Sequence, residues 1–504
     1  MEFMLNKELL QAVEVSADTT ILNMLRQRGL VGTKEGCASG DCGACTVMLG
    51  ECNAGGQISY KTVNACIAMA GSLEGRHLVT VEGLAVDGAL HPAQRAMVDN
   101  HGSQCGYCTP GFVMSLANLV ENQVRAEAQV EARVKNPVEG KAGPDRADSI
   151  LRGVITTGIS GNLCRCTGYR PIVDAGIDAL THHNDVSVCH QDARAYLQGK
   201  IRQTNQPGNS YNLPTTVNEL DKLVLAHGND VLVAGTTDFA LEITQRWMQF
   251  PVIVDVSRVA EMLEISVSDE EISIGASVTY SELETLFAEH LFLEPSTQFV
   301  HLLHRLGSRQ IRNSGTMGGN IGNASPIADT PPVLIVWDAR LELRNSRGEI
   351  REVGIDEFYV GYRETVLNSD EYIVRVIIPR SSAARFHRFY KHSKRIEDDI
   401  SSVLGAFSFE GDLEGEAKHI ETARISYGGM AAVPVRVREV EALLCGSMLN
   451  EDLIHQACER LRSLLNPMSD VRSSADFRMA MAVEMLDRAL REFSGEALPR
   501  VDDL

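Results

Sequence analysis

Twelve cysteines occur in this 504-residue chain, and eight of them fall into two groups of four whose spacing suits metal binding. The first group has the spacing C-x4-C-x2-C, followed by a lone cysteine further along the chain. Four thiolates at this spacing are typical of a [2Fe–2S] cluster of the plant type. Structural zinc, which more often uses two CxxC pairs, is the alternative. These four residues are Cys37, Cys42, Cys45 and Cys66.

The loop of the first group is rich in glycine. Gly36, Gly40 and Gly43 stand beside its cysteines or between them. Glycine adopts positive φ without steric cost, and it lets backbone N–H groups approach the cluster sulfurs. Hydrogen bonds to the sulfurs tune the reduction potential of a cluster. We therefore expect a tight loop folded around the first cluster.

The second group consists of a CxxC pair and a CxC pair, each just before a predicted helix. Pro110 and Pro171 follow the two pairs, and proline is favoured in the first helical turn. Positive helix ends suit an anionic thiolate cluster, although this spacing alone also fits zinc. The group is Cys105, Cys108, Cys164 and Cys166. The other four cysteines lack partners at ligand spacing and are predicted to be free thiols: Cys52, Cys189, Cys445 and Cys458.

The composition excludes some classes of partner. The formal net charge of -20 argues against a nucleic-acid partner, which would require a basic surface. No apolar run approaches the roughly 20 residues that span a bilayer, and the N-terminus does not resemble a secretory signal. We therefore expect a cytoplasmic protein, in which thiols stay reduced and clustered cysteines bind metal more often than they form disulfides.

Several motifs together resemble the xanthine dehydrogenase family, which belongs to the broader group of molybdenum hydroxylases. They include residues 32–47 and 63–66, QCGYCTPGF at 104–112 and GNLCRCTGYRPI at 161–172. Matching motifs continue to about residue 478. The resemblance implies two [2Fe–2S] clusters, with the plant-type cluster nearer a flavin and the helical cluster nearer a molybdenum centre.

Two glycine-containing loops in the second half suggest a bound nucleotide. One follows a predicted buried strand at 231–234, and the other has three glycines within residues 310–321. Backbone N–H groups in such turns can contact phosphate oxygens, whereas no GxGxxG fingerprint indicates a Rossmann fold. The resemblance implies FAD, bound by Leu232, Val233, Ala234, Gly235, Thr236, Thr237, Asp238, Phe239, Thr316, Gly319, Asn320, Asp329, Arg363, Ile373 and Lys391.

Two details of the resemblance stand out. Thr236 occupies a position where many members of the family have a second glycine. Residues 393–400 resemble the loop over the NAD side of the flavin, although this run of mixed charge would otherwise be read as a solvated turn. Motifs at 427–431 and 469–472 complete the pattern of the C-terminal domain, where we expect structural roles.

The predicted fold class is α+β and multidomain. We expect a β-grasp [2Fe–2S] ferredoxin domain at 1–85 and a four-helix-type [2Fe–2S] domain at 86–184. A linker at 185–205 precedes a PCMH-type, vanillyl-alcohol-oxidase-like FAD domain at 206–382 and a CO-dehydrogenase-flavoprotein C-terminal-like α/β domain at 383–504. Residues 125–148 lengthen the helical domain beyond the family pattern and are predicted to form a short charged helix and an exposed loop.

The resemblance also implies an enzymatic role for the chain. No length remains for a molybdopterin domain, so we expect a separate molybdopterin-binding large subunit, with two copies of each chain in the complex. Electrons from xanthine or hypoxanthine would pass through both clusters to FAD and then NAD, with no catalytic residue of the molybdenum site on this chain. The alternatives are a related hydroxylase acting on aldehydes, nicotinate or carbon monoxide, and a non-enzymatic iron–sulfur carrier.

Overall fold

The computed structural model describes residues 1–11, 14–53, 55–86, 88–122, 144–181, 187–200, 210–290, 294–383, 385–396, 398–412 and 418–499. These residues form two compact units. The first unit comprises Met1–Leu213, Gly235–Asp255 and Ser308–Ser314. The second comprises Pro214–Ala234, Val256–Gly307 and Gly315–Leu504. Most of the predicted insertion, residues 125–143, lies outside the described residues.

A five-stranded sheet opens the first unit and confirms the β-grasp prediction. In spatial order its strands are Glu8–Leu10, Phe3–Leu5, His77–Val79, Thr46–Cys52 and Ile58–Asn64. Only the pair formed by Phe3–Leu5 and His77–Val79 is parallel. The helix Ile21–Gln27 begins at Thr20, whose side chain accepts a hydrogen bond from the backbone of Asn23.

Four helices of the described part of the chain follow the sheet and belong to the predicted helical domain. They are Pro92–Asp99, Thr109–Glu121, Pro144–Ile159 and Arg170–Thr181. The predicted helix starts near Pro110 and Pro171 are confirmed, because the second and fourth helices begin there. Their apolar faces share one buried core, which includes Phe112, Leu116, Ile155, Ile172 and Ala175. The core therefore holds the two cysteine-bearing helix starts in fixed positions.

A further helix, Gln191–Lys200, occupies part of the segment predicted as a linker. Ala193 and Leu197 are spaced by one helical turn and are both buried. The Tyr196 hydroxyl donates to the carbonyl oxygen of Glu2 at 2.9 Å. Polar composition led the prediction to miss this helix, because two apolar residues at helical spacing are enough to pack it.

The rest of the first unit comes from later segments of the chain. The strand Tyr211–Asn212 pairs in parallel with Ile253–Asp255. The helices Ala240–Thr244 and Arg309–Arg312 also belong to this unit. Short 3-10 helices at Ala70–Leu73 and Val81–Gly83 flank the strand His77–Val79. The first unit, which contains both cysteine groups, thus also includes segments of the predicted FAD domain.

The second unit contains an antiparallel five-stranded sheet. Its spatial order is Ile350–Gly354, Arg340–Asn345, Glu371–Pro379, Glu271–Gly275 and Ile265–Val267. Two further strand segments, Tyr359–Gly361 and Glu364–Thr365, form a small hairpin. The strand predicted at 231–234 is present as Leu232–Val233. The helices of this part are Val217–His227, Tyr280–His290, Glu294–His304, Met317–Gly322, Thr330–Val336, Ile355–Phe358 and Arg380–Ala383, with 3-10 helices at Val256–Arg258 and Ala260–Met262.

The C-terminal part of the second unit is an α/β layer, as predicted. Its antiparallel sheet runs Phe386–His392, Val403–Glu410, Thr422–Gly428 and Val435–Arg436. The helices Arg438–Leu444, Glu451–Leu464 and Ala475–Phe493 contribute to a buried core with this sheet, and His419–Ile420 pairs with Ser447–Met448. Buried Arg478 donates to the carbonyl oxygen of Gly429 at 3.0 Å and to Asp470 at 2.7 Å, and both acceptors lie in the predicted structural motifs.

Candidate cofactor-binding sites

The fold brings the four thiols of the first group together. The thiol of Cys37 interacts with those of Cys42 and Cys66, and the thiol of Cys66 also interacts with that of Cys45. Cys45 and Cys66 are 1% and 2% exposed, whereas Cys37 and Cys42 are half-buried. The strand Thr46–Cys52 begins directly after Cys45, and Ile58–Asn64 ends two residues before Cys66. The sheet therefore anchors the loop at both ends.

Contacts among these thiols shift their pKa values in opposite directions. The contacts with Cys42 and Cys66 lower the pKa of Cys37, and the Ser39 N–H group, which donates to the Cys37 sulfur at 3.4 Å, adds to this effect. The same contacts raise the pKa values of Cys42 and Cys66. Metal binding requires deprotonated thiols, so a cation between the four sulfurs would replace these shared protons.

The backbone of Gly36 closely approaches one of the four thiols. A Cβ atom at Gly36 would lie 2.8 Å from the sulfur of Cys42. Within the part of the chain that the structure describes, no three His, Cys, Asp or Glu side chains are arranged around a single metal ion.

The second group is assembled from two helix starts. The thiol of Cys105 interacts with that of Cys166, and the thiol of Cys108 with that of Cys164. Cys108 is the N-cap residue of Thr109–Glu121. Cys105 and Cys166 are exposed, whereas Cys164 is buried. The two predicted pairs thus meet at one site, with two sulfurs on the open side.

Local hydrogen bonds make the thiol of Cys164 more acidic than that of Cys108. Burial opposes its ionisation, but hydrogen bonds from the Thr167 hydroxyl and from the backbone N–H groups of Thr167 and Cys166 outweigh burial and lower the pKa of Cys164 to about 7. Burial and the contact with Cys164 raise the pKa of Cys108 to about 12. The backbone therefore already favours a thiolate at the buried end of the site.

The first predicted FAD loop, residues 232–239, adopts an unusual backbone conformation. Gly235 and Thr236 both have positive φ, at +77° and +59°. Left-handed backbone costs a β-branched residue about 1–2 kcal/mol, which accounts for the glycine that many members of the resembled family have at the second position. The Thr236 hydroxyl donates to the carbonyl oxygen of Ile67 at 2.7 Å, next to Cys66. Leu232, Val233 and Ala234 belong to the second unit, and Gly235, Thr236, Thr237, Asp238 and Phe239 to the first.

The second predicted FAD loop begins a short helix in the second unit. The hydroxyl oxygen of Thr316 accepts a hydrogen bond from the Gly319 N–H group at 3.0 Å. Asn320 accepts one from the Thr330 hydroxyl at 2.6 Å. A Cβ atom at Gly318 would lie 2.5 Å from that of Ala276, so this glycine is required for packing against a neighbouring segment. Packing therefore explains the glycine at 318, in addition to the predicted approach of a ligand.

Two residues predicted separately, Asp329 and Lys391, form a buried ion pair. The Lys391 ammonium lies 2.7 Å from one carboxylate oxygen of Asp329 and donates to the carbonyl oxygen of Arg305 at 2.9 Å. The Ser401 hydroxyl donates to the other oxygen of Asp329. Sequence reasoning missed Ser401, although it directly follows the 393–400 loop. Both oxygens of Asp329 thus already have protein partners.

The remaining two predicted FAD residues differ in exposure. Arg363 is exposed in the turn between Tyr359–Gly361 and Glu364–Thr365, with a φ of +57°. Ile373 is buried in the strand Glu371–Pro379 and faces Gly322, where a Cβ atom would lie 3.8 Å from its side chain. Arg363 is therefore free to approach a ligand from the surface, whereas Ile373 offers an apolar wall.

Four known domain families match the chain in succession. They are the 2Fe-2S iron-sulfur cluster binding domain at 5–71, the [2Fe-2S] binding domain at 80–176, the FAD binding domain in molybdopterin dehydrogenase at 203–381 and the CO dehydrogenase flavoprotein C-terminal domain at 388–493. The chain therefore has two [2Fe–2S] domains and one FAD domain. Its described helices include none that is both long and apolar enough to cross a bilayer.

Curated relatives include xanthine dehydrogenases from plants and animals. Xanthine dehydrogenase 1 of Arabidopsis thaliana is 30% identical over 513 residues, covering 89% of this chain and 36% of the relative. Xanthine dehydrogenase/oxidase of Mus musculus is also 30% identical, covering 94% of this chain and 37% of the relative. The chain thus spans little more than a third of the length of these relatives.

Solved structures resemble part of the chain. A carbon monoxide dehydrogenase structure from Hydrogenophaga pseudoflava has a TM-score of 0.51 and 25% identity, and the match covers 57% of this chain and 98% of that chain. Quinoline 2-oxidoreductase from Pseudomonas putida 86 has the same TM-score and 24% identity, and it shows the fold alone. The order of the four domains and the xanthine dehydrogenase relatives together show that this chain belongs to the molybdenum hydroxylase family.

Proposed function

We propose that the chain is the iron–sulfur and FAD subunit of an NAD-dependent xanthine dehydrogenase. The observation behind this proposal is the extent of the two kinds of match. Xanthine dehydrogenases match 89–94% of the chain, including its iron–sulfur and flavin domains. The carbon monoxide and quinoline enzyme chains match 57–58% of it, although the match covers 98–99% of their own lengths. A continuous iron–sulfur and flavin polypeptide therefore favours the xanthine dehydrogenase type.

Each cofactor is assigned to the residues predicted from the sequence. Cys37, Cys42, Cys45 and Cys66 are the proposed ligands of the plant-type cluster, and Cys105, Cys108, Cys164 and Cys166 those of the helical cluster. The convergence of the thiols in both groups supports this assignment. The clusters carry single electrons, whereas FAD accepts two and supplies a hydride to NAD.

Outside the first loop, three groups of proposed FAD residues differ in what they offer a ligand. Thr316 caps the short helix that contains Gly319 and Asn320, and the Thr330 hydroxyl donates to the side chain of Asn320. Lys391 and Asp329 provide a buried charged pair that Ser401 fixes in orientation. Arg363 is exposed and supplies a positive charge at the surface of the hairpin.

The catalytic molybdenum centre is proposed to lie on a molybdopterin-binding large subunit, with two copies of each chain in the complex. That subunit would hydroxylate xanthine or hypoxanthine and deliver electrons to this chain. A cytoplasmic location fits, because the cluster thiols need a compartment that keeps cysteine reduced. The second candidate function is the same role in another hydroxylase of this family. The similarity to a carbon monoxide dehydrogenase structure supports it.

The first experiment is an elemental analysis of the anaerobically purified chain. We expect about four irons, about four acid-labile sulfides and one FAD per chain, without molybdenum. NADH should then reduce an artificial dye, whereas xanthine should not be oxidised. About two irons with one zinc would contradict the helical cluster. Xanthine turnover by the isolated chain would contradict a separate molybdenum subunit.

A second experiment distinguishes the substrates. The chain is purified with the proteins that bind it, and the complex is mixed anaerobically with xanthine, an aldehyde, nicotinate or carbon monoxide. Bleaching of the iron–sulfur and flavin absorbance by xanthine alone is the expected result. Bleaching by one of the other compounds and not by xanthine would assign the chain to that hydroxylase.

A further inference from the structure

The two cysteine loops of the first unit contact each other through their backbones. The Leu163 N–H group donates to the carbonyl oxygen of Cys42 at 3.0 Å, and Leu163 precedes Cys164 directly. A Cβ atom at Gly43 would lie 2.2 Å from the carbonyl oxygen of Gly161. Only glycine permits so close an approach. One hydrogen bond therefore joins a residue of the first cysteine group to the neighbour of a residue of the second.

The side chain of Asn162 lies at the centre of this contact. It is 2% exposed, and its Nδ2 donates to the carbonyl oxygen of Gly43 at 2.9 Å and to the hydroxyl oxygen of Thr46 at 3.2 Å. Its Oδ1 accepts from the Ser115 hydroxyl at 2.6 Å and from Nε2 of Gln310 at 3.2 Å. Both donor hydrogens and the amide oxygen of Asn162 are therefore in use.

Gln310 supports Asn162 from the other side. It is 1% exposed, and its Nε2 also lies 3.1 Å from the hydroxyl oxygen of Thr46. Thr46 in turn donates to the carbonyl oxygen of Gly43 at 2.6 Å, the same acceptor that Asn162 uses. These hydrogen bonds are buried, so the low local dielectric strengthens them, although Oε1 of Gln310 has no partner within the described part of the chain. The network therefore fixes the separation of the two cysteine loops.

We propose that Asn162 is a positioning residue for electron exchange between the two clusters. The inference rests on the proposed function, in that both cysteine groups bind [2Fe–2S] clusters. When both clusters are bound, one electron would pass from one cluster to the other, so no further reactant is needed. One chain of atoms between the two ligand sets runs through the backbone of Cys42, its hydrogen bond to Leu163, and Cys164. Asn162 keeps this hydrogen bond short, because its own hydrogen bond to Gly43 holds the first cysteine loop against the loop that contains Leu163.

The test uses the full chain with both clusters and the variant Asn162→Asp. Aspartate has the same shape, but it cannot donate to the carbonyl oxygen of Gly43 and places a negative charge beside it. Both proteins are fully reduced under anaerobic conditions, and electron paramagnetic resonance is recorded at low temperature. We expect the unmodified protein to show a magnetic splitting between the two reduced clusters. The variant should keep its iron and sulfide content and lose most of this splitting, because the loops move apart.

Two asparagines provide matched controls. Asn64 donates to the carbonyl oxygen of Gly40 at 2.7 Å and thus supports the first loop alone. Asn118 donates to the carbonyl oxygen of Tyr60 at 2.9 Å, away from the contact between the loops. Asn64→Asp should change the signal of the first cluster and keep the splitting, and Asn118→Asp should change neither.

Several results would overturn the proposal. They are an unchanged splitting in Asn162→Asp with both clusters present, an equal loss in Asn64→Asp, and no splitting in the unmodified protein. If Asn162→Asp does not assemble both clusters, Gln310→Met decides, because it removes the supporting donor without adding charge. That variant should show a smaller loss of splitting, and an unchanged splitting would contradict the proposal. Iron and zinc counts in the unmodified chain test the proposed function separately.

Discussion

The two cysteine sites hold their thiols in different ways. The first site encloses its sulfurs within a loop anchored by the sheet, and Cys45 and Cys66 are almost completely buried. The second site joins two helix starts and leaves Cys105 and Cys166 exposed. Enclosure requires close backbone packing, whereas the open site depends mainly on the positions of two helices. The first site should therefore tolerate less change in its surroundings than the second.

The largest expected effect comes from removing one proposed ligand at each site. Cys66→Ser should lose the first cluster and about half of the iron. It should also lower the thermal stability of the fold, because the buried loop would no longer be held together by the cluster. Cys105→Ser should lose a similar share of iron with a smaller change in stability. Iron analysis and thermal unfolding measure both. Exposed Cys445→Ser is the control and should change neither, and equal destabilisation by the two ligand variants would remove the contrast between the sites.

Two glycines with similar backbone angles test whether packing makes the difference. Gly43 has a φ of +65° and is in close contact with Gly161, whereas Gly106 has a φ of +84° and no atom within 4 Å of an added Cβ. Gly43→Ala should lower the free energy of unfolding by about 2–5 kcal/mol, from backbone strain and overpacking. Gly106→Ala should cost about 1 kcal/mol from strain alone. Urea unfolding of both variants checks this, and equal losses would show that crowding has no part.

Acid should weaken the support of the first site through His77, which lies in the sheet. Burial lowers the pKa of His77 to about 4, from 6.5 in the unfolded chain. The unfolded chain therefore binds the proton first, and the stabilisation by neutral His77 is complete above pH 6.5 and is lost as the pH falls to about 4. The loss reaches about 2 kcal/mol at pH 5.

The variant His77→Gln keeps a donor and an acceptor at this position but does not titrate. Unfolding midpoints at pH 7 and pH 5 should therefore differ less in this variant than in the unmodified protein. Exposed His101→Gln is the control and should keep the full pH dependence. Identical pH dependence in all three proteins would exclude His77 as the cause.

The smallest expected effect concerns the hydroxyl of Thr236. Thr236→Val keeps the side-chain shape but leaves the carbonyl oxygen of Ile67 without its donor, which should cost about 1–2 kcal/mol. Thr236→Gly removes the same hydrogen bond and also relieves the left-handed backbone strain of about 1–2 kcal/mol, so its stability should stay close to that of the unmodified chain. The free energies of unfolding of the valine and glycine variants, measured in urea, check this. A glycine variant as unstable as the valine variant would show that the positive φ is not strained.

Local sequence patterns predicted the parts of the sites that are local. The cysteine spacing separated the two groups, and Pro110 and Pro171 indicated both helix starts, because proline acts on its own turn. The resemblance pointed to both Asp329 and Lys391. Their ion pair was not predicted, because its partners are 62 residues apart and no pattern of one segment encodes the other. The same holds for Gln310 and Asn162, which are 148 residues apart.

Other differences have equally physical causes. The helix Gln191–Lys200 is polar except at a few positions, so its composition resembled a linker, and only contacts such as that of Tyr196 with Glu2 reveal its packing. Gly318 lies in the glycine-containing loop that was predicted to bind FAD. The structure gives a second reason for a glycine there, because any larger side chain would collide with Ala276. The positive φ of Thr236 could have been anticipated from the glycine that many members of the resembled family have there.

The segments Gly235–Asp255 and Ser308–Ser314 have a practical consequence for anyone dividing the chain. Thr244 donates to the carbonyl oxygen of Ala38 at 2.7 Å, and Gln245 to the same atom at 3.0 Å, so later sequence covers the loop of the first cluster. A fragment cut near residue 200 would expose this carbonyl group to water. It would also lack Gln310, whose amide donates to Asn162. The iron–sulfur half is therefore not a cassette that can be transplanted by a single cut.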